Sequence, residues 1–148
     1  MATSLNSIIE AIKDVALCNG FKSVEEYRIN LKKSADTELP RLFIRLTRLD
    51  YGKLMIDSAE EDYKIELIII MNTSPNPISQ LKSQMDLLLN KMFTTNNLLA
   101  NMVKGEKIKL VDANLTNDRD LYSQLGGEGV TLKLEIKNAN LFNGSPCC

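Results

Sequence analysis

The sequence contains no histidine and no tryptophan, and its 148 residues include only three cysteines, four prolines and seven glycines. Each shortage excludes something. Without imidazole there is no Ser/His/Asp or Cys/His nucleophile system, no HExxH zinc site, no facial triad and no physiological-pH switch. Cys18, Cys147 and Cys148 cannot supply the four ligands of a closed zinc site. The adjacent pair has neither CxxC spacing nor a helix after it, and three thiols make no disulfide framework. The longest apolar run, Leu67 to Met71, is far below the ~20 residues that span a bilayer. The N-terminal MATSLNSIIE lacks the basic stretch and long apolar core of a secretory signal, so folding in a cytoplasm is expected. A net charge of -1 gives no bulk attraction to nucleic acid or to an anionic membrane.

What is present is ordinary for a globular chain: 44% hydrophobic and 25% charged residues, in a length that suits one domain. The spacing predicts a domain over residues 1–139 and a flexible tail over 140–148. Leu5, Ile8, Ile9, Ile12, Val15 and Ala16 follow the three-and-four spacing of an amphipathic helix. Thr3 or Ser4 would cap it and Gly20 would close it. A strand is predicted over 24–32 from the alternation of Tyr27, Ile29 and Leu31, and a second over 41–48 from Leu42, Ile44 and Leu46, with Pro40 at its edge. The third runs over 63–71, where Ile68 and Ile70 join the second face, so its end should be buried on both sides.

Pro77 then opens a second helix after a cap at Asn76, with a stripe of Ile78, Leu81, Met85, Leu88, Leu89 and Met92. Another short helical turn before Gly105 leads to a fourth strand over about 106–114. In the last strand Val130, Leu132, Leu134 and Ile136 alternate without exception with polar residues. One-faced strands and two helical stripes satisfy each other in a two-layer α+β domain, a mainly antiparallel sheet of about five strands with two helices on one face. Two polar connections, 49–62 and 115–129, are long enough to be functional.

Gly126, Gly127 and Gly129 do not make a phosphate loop, because a strand follows where a helix should begin and no Lys-Ser/Thr pair is present. Asp57, Glu60, Glu61 and Asp62 lack the spacing of a calcium loop. No metal and no cofactor is expected. The charges are nevertheless segregated. Arg41, Arg45, Arg48 and Lys53 against Asp50 give residues 41–53 an excess of +3, while Asp57, Glu60, Glu61, Asp62 and Glu66 against Lys64 give 57–66 an excess of -4. Cross-strand pairing within one molecule accounts for such a pattern. So does complementary charge between copies in a ring, whose head-to-tail closure needs two different surfaces on each subunit. A ligand-binding or enzymatic domain using Asp112, Asp118 and Asp120 is the contrasting reading, although nothing draws those carboxylates into one pocket.

The order of elements carries a resemblance. An N-terminal amphipathic helix, the Pro-led strand LPRLFIRL, the apolar strand YKIELIIIM, the helix PISQLKSQMDLLLNKM and the closing RDLYSQLGGEGVTLKLEIKN together resemble bacteriophage tail terminator proteins, the minor tail protein U-like or tail-completion group. The resemblance covers residues 5–139. It implies a non-enzymatic virion protein, assembled in the host cytoplasm as a hexameric ring that caps the tail tube at the head-tail junction. The implied partners are further copies of the chain, the tail tube protein and the head or neck connector, with DNA met only by passage through the ring and no membrane contact. Another neck, head-completion or baseplate subunit would share this pattern. Cys147 and Cys148 follow Gly144 and Pro146 on a terminal arm, where exposed thiols can form a bond to a neighbour once the particle leaves a reducing cytoplasm. Cys18, near the end of its helix, should be partly covered.

Overall fold

The computed structural model describes residues 5–27, 39–54, 59–71, 77–114 and 119–138; at 51–54, 59–61, 77, 119 and 138 it describes the backbone alone. The elements in chain order are α1 (Leu5–Cys18), β1 (Ser23–Glu26), β2 (Arg41–Leu54), β3 (Ala59–Met71), α2 (Pro77–Thr95), α3 (Asn97–Lys104), β4 (Ile108–Asn114), α4 (Arg119–Leu125) and β5 (Glu128–Asn138). They form an α+β fold around a five-stranded sheet in the order β1-β2-β3-β5-β4. β1 runs parallel to β2, and every other neighbouring pair is antiparallel.

Side-chain alternation decides which face of the sheet is dry. Leu42, Ile44, Tyr63, Ile65, Leu67, Ile69, Val130, Leu132, Leu134 and Ile136 share one face and are buried, as the last strand's pattern predicts. Against them lie Ile8, Ile9, Ile12, Val15 and Ala16 of α1, Leu81, Leu88 and Met92 of α2, and Leu99 and Met102 of α3. Gly20, at φ 91°, closes the α1 segment in the left-handed region expected of it. The predicted caps at Thr3, Ser4 and Asn76 lie outside the described residues.

Three helices therefore cover this face, one more than the hydrophobic stripes predict. The break between α2 and α3 is local chemistry. Asn96 leaves the helix at φ -91°, ψ 116°, and its Oδ1 accepts from the Leu99 amide at 3.0 Å, starting a new helix within the Asn-rich stretch. The α2 stripe also begins one turn late, since Ile78 is 72% exposed where burial is expected.

Among the described residues, one helix covers the opposite face, at one end. There Leu39, Phe43, Ile68 and Ile70 pack under Tyr122 and Leu125 of α4, which is why the end of β3 is buried on both sides. α4 falls inside the 115–129 stretch expected to be a loop, where its seven residues are too few for a periodic signal to stand out. The 49–62 stretch is likewise not a loop. β2 and β3 continue as a hairpin through Asp50↔Asp62 and Tyr51↔Glu61 to Leu54↔Ala59, and only 55–58 lie outside the described residues. No apolar/polar alternation marks these strands, since Tyr51, Gly52, Lys53 and Leu54, and then Ala59, Glu60, Glu61 and Asp62, follow no period of two. β1 spans Ser23–Glu26, shorter than the predicted 24–32, of which 28–32 are not described. Cys18 is exposed, contrary to expectation, because the buried stripe of α1 ends at Ala16 and the next residue, Leu17, already points outward.

Candidate assembly surface

Beyond α4, the second face of the sheet is open and charged among the described residues, and the pairing register sorts its charges into rows. Arg45, Glu66, Lys133 and Asp112 form the first row, alternating in sign across β2, β3, β5 and β4. Arg48, Lys64, Glu135 and Lys109 form the second, and Asp50, Asp62 and Lys137 the third. A β-bulge in β2 at Thr47 and another in β4 at Val111 keep Arg48 and Asp112 on this face; under unbroken alternation each would turn to the helix side. Neither bulge is readable from alternation alone.

The charged residues of β2 have different roles. Arg41 is buried under the edge of β1, its Nε donating to Ser23 Oγ at 2.9 Å and its Nη2 3.0 Å from Glu25, with the guanidinium 4.6 Å above the Phe43 ring. Arg45 donates to Glu66 on β3 and lies 5.2 Å over the Tyr27 ring. Both contacts tie strands of one molecule together. Arg48 is 62% exposed and pairs with Asp50 on its own strand at 2.9 Å. Lys64 and Glu135 approach to 3.6 Å across β3 and β5.

Asp62 is exposed on the open face. Lys53, Glu60 and Glu61 lie on the distal half of the β2-β3 hairpin, placed by their backbone positions, and Asp57 lies outside the described residues. Cys147 and Cys148 lie outside them too.

The contrasting carboxylate set does not converge. Asp112 is exposed on β4, Asp120 is exposed on α4, and Asp118 is not described. Among the described residues no group of three or more acidic or thiol side chains could hold a metal. The glycine stretch serves packing. Gly126 takes φ 102° at the end of α4, and a Cβ on Gly129 would stand 2.7 Å from the Ile69 carbonyl and 2.8 Å from Tyr122 Cδ1. β5 begins at Glu128, so no helix N-terminus follows these glycines.

Two grooves flank the edge strand β4. One, about 390 Å³, is of mixed polarity, lined by Glu106, Lys107, Lys109, Glu135 and Lys137 around Val103 and Ile108. The other, about 330 Å³, is almost wholly apolar and runs between the start of α2 and the sheet edge, lined by Ile78, Leu81, Met85, Ala113 and Val130 beside Lys82. Lys109 and this apolar groove are features that sequence reading missed. Their only trace in the sequence is an apolar Ile78 at the start of a helix, which reads as core.

No protein family matches the sequence, and no curated protein does. Among solved structures, the chain is similar to the sheath/tube terminator of an extracellular contractile injection system, PVC, in its extended state. The superposition gives a TM-score of 0.44 at 10% identity, over 100% of this chain and 62% of that one, so this chain spans under two thirds of its neighbour's length. No described helix is long and apolar enough to cross a membrane.

Proposed function

We propose that this chain is a non-catalytic structural subunit that assembles as a ring, six-fold by the resemblance, and terminates a phage-type tail tube at its junction with the head or neck connector. The observation that supports this reading is the open charged face, whose two sides carry different residues: Arg48 and Asp50 on β2, Lys109 and Asp112 on the edge strand β4. Head-to-tail closure needs such a pair of unlike surfaces, whereas a two-fold dimer would reuse one. The elements that carry the resemblance, α1, β2, β3, α2 and β5, also occupy the positions expected of them. Termination would be geometric: one ring face repeats the stacking surface of the tube and the other does not, so growth stops. The distal hairpin, with Lys53, Glu60, Glu61 and Asp62, is the candidate surface for one of those contacts, with the exposed Arg48 further along β2.

Mass measurement of the purified chain, alone and mixed with tube protein, tests the proposal. A ring that binds tube ends and blocks their elongation is expected. A protein that stays monomeric in both conditions and leaves tube growth unchanged would overturn it. The same reading includes Cys147 or Cys148 cross-linking a neighbouring subunit after release from the cell. Non-reducing electrophoresis of intact particles should then show a dimer band that reductant removes, and free thiols in a purely monomeric band would exclude the bond.

A further inference from the structure

β4 is the outermost strand of the sheet, and no described strand pairs with its outer edge. Leu110 and Val111 are 40% and 50% exposed there, and among the described residues neither Lys109 nor Asp112 has an ion-pair partner. An exposed edge of this kind is a template for a further strand. On the other side of the sheet, among the described residues β1 pairs with β2 over Arg41–Ile44, followed by one bond from the Tyr27 amide to the Ile44 carbonyl, and no described strand pairs with that edge of β2 further along. Further along β2, Leu46 and Leu49 are 44% and 38% exposed on the helix face, with Arg48 and Asp50 on the open face.

These two stretches are complementary in a single register. β2 and β4 run in opposite directions within the sheet, so a second copy displaced sideways in the same sense brings its β2 antiparallel to β4. Setting Arg48 opposite Asp112 also sets Leu49 opposite Leu110 and Asp50 opposite Lys109, once the Val111 bulge is counted. The Thr47 bulge then brings Leu46 opposite Ala113, at the mouth of the apolar groove lined by Ile78, Leu81 and Met85. Every pair shares a face, two are opposite charges and two are apolar. Aligning the existing rows without a shift would instead put Arg48 beside Lys109, with β1 against β4. In the complementary register β1 lies past Asn114, where β4 has ended.

We infer that a second copy of this chain docks on β4 through its Leu46–Asp50 segment, extending the sheet from subunit to subunit with Leu46 in the apolar groove. The inference rests on the ring reading and names the contact that would close the ring. It also explains why large apolar side chains are exposed at both places.

Cross-linking in the full-length chain, with Cys18, Cys147 and Cys148 replaced by serine, tests it. A mixture of Arg48→Cys and Asp112→Cys proteins should give a covalent dimer under mild oxidation, while either protein alone should not. A dimer from mixed Lys109→Cys and Asp112→Cys proteins would instead mean that two β4 edges pair around a two-fold axis, which overturns the inference. Independently, Asp112→Arg should weaken association about five- to tenfold per interface with an unchanged melting temperature, and Arg48→Glu in the same chain should restore it; failure of that rescue also overturns it. A ring without the 48–112 link removes this contact and leaves the ring. Linked assemblies that ignore tube ends keep the contact and remove the terminator reading. Monomers throughout remove both.

Discussion

Gly129 shows how narrowly a single position can be specified. A methyl group there meets the Ile69 carbonyl, Ile70 Cδ1 and Tyr122 Cδ1, all within 2.8 Å, and two of these belong to a strand that cannot move without its neighbours. Gly129→Ala should cost about 1–3 kcal/mol, read as a lower urea midpoint at unchanged slope. Tyr122 itself fixes α4 to the sheet, its hydroxyl donating to the Asn114 carbonyl at 3.0 Å and sharing a 2.6 Å hydrogen bond with Thr131 Oγ1. Tyr122→Phe should cost about 1–2 kcal/mol, and less in a Thr131→Val background, where no hydroxyl is left waiting for its partner. At Leu134, 1% exposed in the main core, an aspartate would bury an unpaired charge. Several kcal/mol, on the order of 3–5, should be lost and soluble protein with it.

At the scale of elements, the two arginines of β2 that face the open surface should separate fold from assembly. Arg45 and Glu66 are 25% and 13% exposed, so Arg45→Glu would set two partly buried carboxylates against each other and lower monomer stability by about 1–3 kcal/mol. Arg48, largely in solvent, should tolerate the same change within about 0.5 kcal/mol by thermal unfolding. α3 depends on its cap. Asn96→Ala removes the acceptor for the Leu99 amide and should cost about 0.5–2 kcal/mol, since Leu99 and Met102 lose the helix that holds them in the core.

For the whole molecule, the proposed contact would make assembly salt-sensitive while the fold is not. Raising salt shortens the screening length from about 10 Å at 0.1 M to 3 Å at 1 M. Exposed pairs weaken under that change, whereas the apolar core does not. The mass of the proposed ring, measured across a salt series, should therefore fall at a constant unfolding midpoint. An assembly that ignores salt would put its stability in the apolar contacts of Leu46, Leu49 and the α2 groove.

The sequence by itself determined what burial imposes. Strict alternation over Val130–Ile136 and the helical stripe of Ile8–Ala16 were readable because one buried face repeats at a fixed period, and Ile68 and Ile70 announced a strand covered on both sides. Where apolar and polar residues do not alternate, no period exists: the hairpin through Leu54 and Ala59 reads as a polar loop, and α4 is too short to show a stripe. Only the tertiary structure decided which charges are neighbours. Lys133 and Asp112 join Arg45 and Glu66 in one row because strand register, with the bulge at Val111, brings together positions up to 88 apart in number, and the bulge at Thr47 does the same for Arg48 in the next row. A bulge turns one residue to the opposite face by a local change in backbone twist, and nothing in the composition of Thr47 or Val111 encodes that choice.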